Sequence, residues 1–338
     1  MRQVWITRAG PPEVLQLRDA PDPPAGPGQV RIRVTAAGVN FADILARLGL
    51  YPDAPRLPAV VGYEVAGRID QVGDGVTELQ PGDRVLALTR FGGYSDTMVV
   101  PAGQAQRIPA GLSDVEAAAI PVNYLTAWLM LVWLGNVRAG ELVLIHAVAG
   151  GVGQAALQIC KRRGARVLGT ASAGKHERLR ELGVEQPIDY RSLDFEAELR
   201  RLTGGRGVDV VLDAVGGASA AKSYRCLAPL GRLFVFGISS FVTGRRRNLW
   251  AALRGLWQMP GFRPIALMND NRGVFGVNLG HLWDQGHLLR PMLAEIVELA
   301  AAGPLRPVVD RTFPFEQAGA AHAYLQDRRN FGKVILTA

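Results

Sequence analysis

Cysteine is nearly missing: Cys160 and Cys226 are the only two in 338 residues, too few for a disulfide framework or a cysteine-rich metal site. Lysine is scarce as well. Of 38 basic residues only Lys161, Lys175, Lys222 and Lys333 are lysines, which leaves 34 arginines, a skew that reads as coding bias. Acids are interspersed throughout, so the formal net charge of +8 builds no nucleic-acid surface and no nucleic-acid partner is expected. Long hydrophobic runs are absent. The most apolar segment, Tyr124 to Leu134, is far too short to span a bilayer. No low-complexity tract accompanies the 40 glycines and 21 prolines, so they mark turns rather than disorder. No signal sequence is expected either, because Met1-Arg2-Gln3-Val4-Trp5-Ile6 begins a strand directly; a cytoplasmic location follows as the expectation. What remains is long enough, at 48% hydrophobic and 20% charged, for two domains with cores of their own.

The most informative stretch is Leu142-Val143-Leu144-Ile145-His146-Ala147-Val148-Ala149-Gly150-Gly151-Val152-Gly153. A short aliphatic run, too brief for a helix, enters a glycine cluster, and apolar residues at helical spacing follow from Ala155. Strand, tight turn and helix start form the context in which such glycines bind a dinucleotide. Gly150 and Gly151 let backbone approach a pyrophosphate, Gly153 lets the helix pack on the strand, and the helix N-terminus offers N–H groups to the phosphates. Alanine, Ala147, stands where the fingerprint usually has its first glycine.

The next strand, Arg166 to Ala171, lacks the acid that would hold a free ribose 2′-hydroxyl. The chain continues instead as Ser172-Ala173-Gly174-Lys175-His176, a hydroxyl and a cation suited to a 2′-phosphate, which favours NADPH.

Before Ala117 the chain is strand-rich and punctuated by glycine: Val30 to Val34 alternates strictly, and Val60–Val72, Asp83–Ala87 and Tyr94–Val100 add further strands. This predicts a β-barrel-like N-terminal domain. Ala117 to Pro121 leads into a long apolar helix ending near Gly135. From Glu141 strands alternate with helices, and Val208–Asp213 and Arg232–Gly237 are near-continuous apolar runs of the kind covered on both faces. Gly273 to Asn278 is read as a sixth strand and Pro291 to Ala302 as a last amphipathic helix. Val308–Phe313, Phe315–Leu325 and Lys333–Leu336 are expected to return to the first domain. The boundaries expected are 1–121 with 298–338 for that domain and 122–297 for the second.

Gly82-Asp83-Arg84-Val85, Ala118-Ala119-Ile120-Pro121, Thr126-Ala127, His146 to Gly153 and Gly332-Lys333-Val334 resemble the medium-chain dehydrogenase/reductase superfamily. Ala37 to Asp43 with Gly49-Leu50-Tyr51-Pro52 is similar to its zinc-independent quinone oxidoreductase branch. Pro121 to Tyr124, Gly169 to His176, Pro187 to Tyr190 and Arg247-Asn248-Leu249 resemble the vesicle amine transport protein subgroup. The likeness covers essentially the whole chain. It implies an α/β protein with a GroES-like β-barrel domain, a Rossmann doubly wound parallel sheet, a cleft between them and a homodimer.

Zinc-dependent members carry a cysteine at the position matching Asn40 and a histidine at the one matching Tyr63 in Gly62-Tyr63-Glu64. Tyrosine is no zinc ligand and asparagine a poor one, and no four-cysteine lobe is present, so no metal is expected. His281, His287 and His322 lie in helical contexts without ligand partners, and His146 ends a buried strand as a structural residue. Without a metal, reduction needs a hydride from the nicotinamide and donors for the oxygen that gains charge. By resemblance the cleft residues are Asn40, Asp43, Tyr51 and Tyr63, with Asp43 read as structural. Asn40 offers an amide donor or orients the nicotinamide ribose, and Tyr51 offers a phenolic donor or stacks on the ligand. The cofactor positions implied are Asn40, Thr126, Ala149, Gly150, Gly151, Val152, Ser172, Lys175, Tyr190, Phe236, Gly237, Phe275, Val277 and Asn330.

One stretch departs from a plain reductase. Arg245 to Trp257 sets Leu249, Trp250, Leu253, Leu256 and Trp257 on one helical face beside four arginines. It reads as a lid or dimer contact, or as a basic amphipathic helix for an anionic membrane surface. The expectation is a NADPH-dependent, zinc-independent reductase of quinones or α,β-unsaturated carbonyls; the alternative is a lipid- or membrane-binding protein that keeps the nucleotide fold with little turnover.

Overall fold

The computed structural model describes every residue from 1 to 338. The strand-rich opening forms β1 (Arg2–Ile6), β2 (Leu15–Asp19), β3 (Gln29–Val39), β4 (Ala59–Val60), β5 (Glu64–Val72), β6 (Arg84–Leu88), β7 (Thr97–Pro101) and β8 (Ala105–Arg107). The alternation in β3 does what it predicts. Val30, Ile32 and Val34 are buried, while Arg31 and Arg33 turn outward onto Asp70. The strand expected from Tyr94 starts only at Thr97, because Tyr94, Ser95 and Asp96 instead bond to segments outside that strand: Tyr94 N–H donates to Val61 O, Ser95 bridges Gln3, and Asp96 N–H donates to Arg2 O. Three helices punctuate this part: α1 (Phe41–Arg47), α2 (Asp114–Ala117) and α3 (Pro121–Trp128). The apolar helix continues beyond α3 with π-helical geometry over Leu129–Leu134.

The alternating region supplies β9 (Leu142–Ile145), α4 (Gly151–Arg162), β10 (Arg166–Ala171), α5 (His176–Glu181), β11 (Gln186–Asp189), α6 (Phe195–Leu202), β12 (Val208–Asp213), α7 (Ala218–Arg225) and β13 (Leu227–Val235). After α8 (Leu249–Trp257) and α9 (Pro264–Asp270), β14 (Gly273–Gly276) completes a six-stranded sheet in the order β11-β10-β9-β12-β13-β14. Every pairing in it is parallel. Counted from β9 as the first strand, the order is 3-2-1-4-5-6, the doubly wound arrangement of a dinucleotide-binding domain.

The chain then forms α10 (Gly286–Ala301), β15 (Val309–Pro314), α11 (Ala318–Gln326) and β16 (Lys333–Thr337). β16 pairs antiparallel with β3, so one sheet runs β15-β16-β3-β5-β6-β8 with β7 also on β3. A smaller sheet runs β2-β1-β4. Helix α10 begins five residues before Pro291, where the sequence expectation started it, so that proline lies inside the helix and forfeits one i→i−4 hydrogen bond.

Two compact units result: Met1–Leu125, Gly244–Arg247 and Leu279–Ala338 in one, Thr126–Thr243 and Asn248–Asn278 in the other. Residues 279–297, expected with the second domain, cluster with the first. No helix is long and apolar enough to cross a membrane.

Candidate functional site

In the first unit Tyr51 and Tyr63 line one cavity of about 240 Å³, with Asp53, Arg90, Phe91, Gly280, His281, Trp283 and Asp284. The walls are flat rings. Tyr63 meets Tyr51 edge-on, Phe91 at a tilt with centroids 5.2 Å apart, and Trp283 almost parallel. Tyr63 is 4% exposed and its buried hydroxyl makes no well-formed hydrogen bond, only a weak interaction with Tyr51. Burial and the nearby Asp43 push this phenol far above its ordinary range, so it keeps its proton and has it to donate. Phe91 holds a φ of +79° where glycine is the usual occupant. His281 Nε2 lies 2.7 Å from Asp53 Oδ2.

Asn40 is not at that cavity wall. It caps α1 from within a buried polar network: its amide donates to Glu64 Oε1 at 3.0 Å and its Oδ1 accepts from Lys333 Nζ at 2.6 Å. Lys333 also donates to Glu64, and the other Glu64 oxygen accepts the Val122 N–H at 2.7 Å, which ties β5, β16 and the start of α3 together. Gly38 lies directly beneath, where a Cβ would come within 2.3 Å of the Glu64 carboxylate.

Glu64 and Lys333 stand in the sequence inside motifs, with no role expected of them. The signal was there: one of only four lysines opens the apolar run Lys333-Val334-Ile335-Leu336. The Lys333 ammonium supplies the positive charge at Asn40 Oδ1 and Glu64 Oε1, oxygens that would otherwise face a cation. No group of three or more His, Cys, Asp or Glu side chains that could hold a metal ion is present.

Asp43 is structural in its contacts. Its carboxylate accepts the Asn40 N–H at 2.8 Å, the Gly62 N–H at 3.1 Å and the Tyr94 hydroxyl at 2.9 Å. Burial pushes its carboxyl up to about 7 against the pull of these donors and of Lys333. Since Tyr94 spends its proton on Asp43, His322 must donate to that hydroxyl through Nε2, and burial keeps this imidazole neutral.

In the second unit the parallel sheet collects the remaining positions at one edge. Ala149–Val152, Ser172, Tyr190, Phe236–Gly237 and Val277 each follow a strand C-terminus, and Lys175 lies in the short turn after Ser172. Gly150 is the N-cap of α4 and has no capping side chain, so the first N–H groups of that helix are left for an external acceptor. A Cβ on Gly150 would meet only Ala147 O, at 3.2 Å, whereas one on Gly153 would lie 2.5 Å from that same oxygen. Glycine at 153 therefore serves packing, and the turn above stays open to a pyrophosphate. Ala147 adopts φ +53°, the left-handed conformation its position demands.

Around this turn His146 bonds Thr170 and Ser223 and is held neutral by burial, while Asp213 accepts from the Val215 and Gly216 N–H groups and from Ser219 and Ser223. These groups brace β9, β10, β12 and α7. Phe275 stacks on Phe234 of the neighbouring strand, with centroids 4.9 Å apart. Thr126 is buried in this unit; Asn330, buried in the first, donates to Gly332 O.

Residues 26–110 match the alcohol dehydrogenase GroES-like domain and residues 182–336 the zinc-binding dehydrogenase family. The rat (Rattus norvegicus) synaptic vesicle membrane protein VAT-1 homolog is 42% identical over 323 residues, covering 95% of this chain and 80% of the relative. The Escherichia coli quinone oxidoreductase, solved with NADPH, superposes with a TM-score of 0.88 at 31% identity over the full length of both chains. The CurK enoyl reductase gives 0.86 at 30% identity, over 99% of this chain and 98% of the other. With a doubly wound parallel sheet, a GroES-like unit and these relatives, the chain belongs to the medium-chain dehydrogenase/reductase family, close to the VAT-1 homologues and the quinone oxidoreductases.

Proposed function

We propose that the protein is a NADPH-dependent, zinc-independent reductase of quinones or α,β-unsaturated carbonyls. The observation that carries this reading is Tyr63: its side chain lines an aromatic-walled cavity, and its hydroxyl is buried, protonated and without a well-formed hydrogen bond. An orphaned buried donor costs about 1–3 kcal/mol, which a substrate carbonyl oxygen would recover. When bound, the reduced nicotinamide supplies a hydride. The negative charge then grows on that oxygen, where donation from Tyr63, with Tyr51 beside it, is worth most.

The N–H groups of Gly151 and Val152 are assigned to the pyrophosphate, and Ser172 and Lys175 to the 2′-phosphate. Tyr190, Phe236, Gly237, Phe275 and Val277 are assigned to the rest of the cofactor. Support comes from the shared strand edge, from the NADPH complex of the Escherichia coli neighbour and from the enoyl reductase likeness. Two buried free thiols suit a reducing compartment.

Titration of both cofactors tests the core of this reading. NADPH should bind more tightly than NADH, and Lys175→Ala should cost about tenfold or more in NADPH affinity, the loss of one charge-assisted phosphate contact. Equal affinity for the two in the parent protein would sink it. Oxidation of NADPH against a panel of quinones and enones then separates the substrate classes. The second reading, a lipid- or membrane-binding protein with little turnover, is favoured by one observation, the exposed apolar face of α8 beside its arginines.

A further inference from the structure

Reduction of an enone adds a proton as well as a hydride, and the proton needs a source. We propose that His281, held by Asp53, is the group that protonates the substrate in the Tyr51–Tyr63 cavity; the proposal rests on the reductase reading above. The cavity wall narrows the choice. Tyr63 holds its proton too tightly to release it, and Arg90 never gives one up. Asp53 and Asp284 are carboxylates, which ordinarily carry no proton at neutral pH. Tyr51 is a phenol, ordinarily a poor acid there. Histidine is the side chain that exchanges protons near neutrality.

The geometry suits the task. Asp53 Oδ2 takes Nε2 at 2.7 Å, so in the imidazolium form Nδ1–H is the proton left to donate. The pair joins segments 228 residues apart, with Tyr51 two positions before Asp53 and Trp283 two positions after His281, all on the one wall. The imidazole is 63% exposed, so solvent can return the proton. Arg90, on the same wall, is the nearby cation, while Asp53 and Asp284 are the facing anions.

The step balances. Hydride forms the new C–H bond at the β-carbon, and the π electrons move onto the carbonyl oxygen, which Tyr63 bonds. The resulting enolate takes a proton at the α-carbon as the Nδ1–H bond of the imidazolium breaks. His281 then recovers a proton from water, and the two electrons have passed from the nicotinamide to the enone.

The test uses full-length protein, NADPH and 2-methylcyclohex-2-enone, with the product's enantiomers resolved by chiral chromatography. His281→Gln should lower kcat about a hundredfold, in the range of lost general-acid catalysis. It should also abolish the alkaline fall in kcat and erode the enantiomeric excess, with KM and NADPH affinity unchanged. Asp53→Asn should act in the same direction by several-fold. In cofactor-free protein, adding cyclohexanone should shift the His281 imidazole resonances in NMR spectra. A His281→Gln protein with parental kcat, or a loss carried wholly by KM with the alkaline limb intact, overturns the proposal and leaves the reductase reading standing. A parent with no turnover on any quinone or enone overturns both.

Discussion

Tyr63 illustrates a conflict between stability and use within one side chain. Its ring is among the best-packed surfaces of the cavity, whereas its hydroxyl is buried without a well-formed partner. Removing the hydroxyl should therefore help the fold and hurt the chemistry. Tyr63→Phe is expected to raise unfolding free energy by about 1 kcal/mol, in denaturant titrations, while lowering kcat at least tenfold with NADPH affinity intact. A variant that is more stable and equally active would reduce Tyr63 to a wall. At the same scale the sequence was readable where one residue type answers one local demand. Gly153 was legible because helix packing excludes any side chain there. The strain at Ala147 and Phe91 was not, since nothing in an alanine or a phenylalanine announces a positive φ.

The secondary-structure elements divide in the same way. The parallel strands β9, β10, β12 and β13 announce themselves as short, mainly apolar runs, because burial on both faces leaves few polar positions. Their C-terminal edge, where the positions assigned to the nucleotide fall, follows from topology alone. The network joining α1, β5 and β16 could not be read this way, because Glu64 and Lys333 meet across 269 residues with no periodicity linking them. His281 and Asp53 meet across 228, which is why the histidine read as a bystander. A sharp expectation attaches to the first of these pairs. Lys333→Met keeps the length and apolar stem but strands the Glu64 charge in the core, and should cost about 3–5 kcal/mol of stability. Urea unfolding of the variant checks it; a loss well below 1 kcal/mol would mean that Glu64 escapes the charge in some other way.

On the scale of the whole molecule, the surface of α8 decides between the two functional readings. Trp250 and Trp257 are 83% and 86% exposed, with Leu253 and Leu256 beside them on the same helix. Such an apolar surface is unusual on a protein that meets only water. For a homodimeric reductase, replacing both tryptophans by serine should weaken self-association at least tenfold by light scattering, while NADPH affinity holds. If sedimentation with anionic vesicles is lost instead, and self-association is untouched, the lipid-binding reading prevails.

The position of β16 has a consequence for how the chain acquires its shape during synthesis. The nucleotide-binding sheet is built from one contiguous stretch, β9 to β14, and can close as soon as that stretch leaves the ribosome. β3 emerges far earlier, yet one of its neighbours, β16, belongs to a segment translated some three hundred residues later: Asn40 and Lys333 are 293 positions apart. Until then Glu64 has no ammonium, Asn40 lacks its donor, and one edge of β3 stays open. The half of the protein made first is the half finished last, and a nascent chain in that interval is the form most exposed to chaperones and to unintended strand pairing.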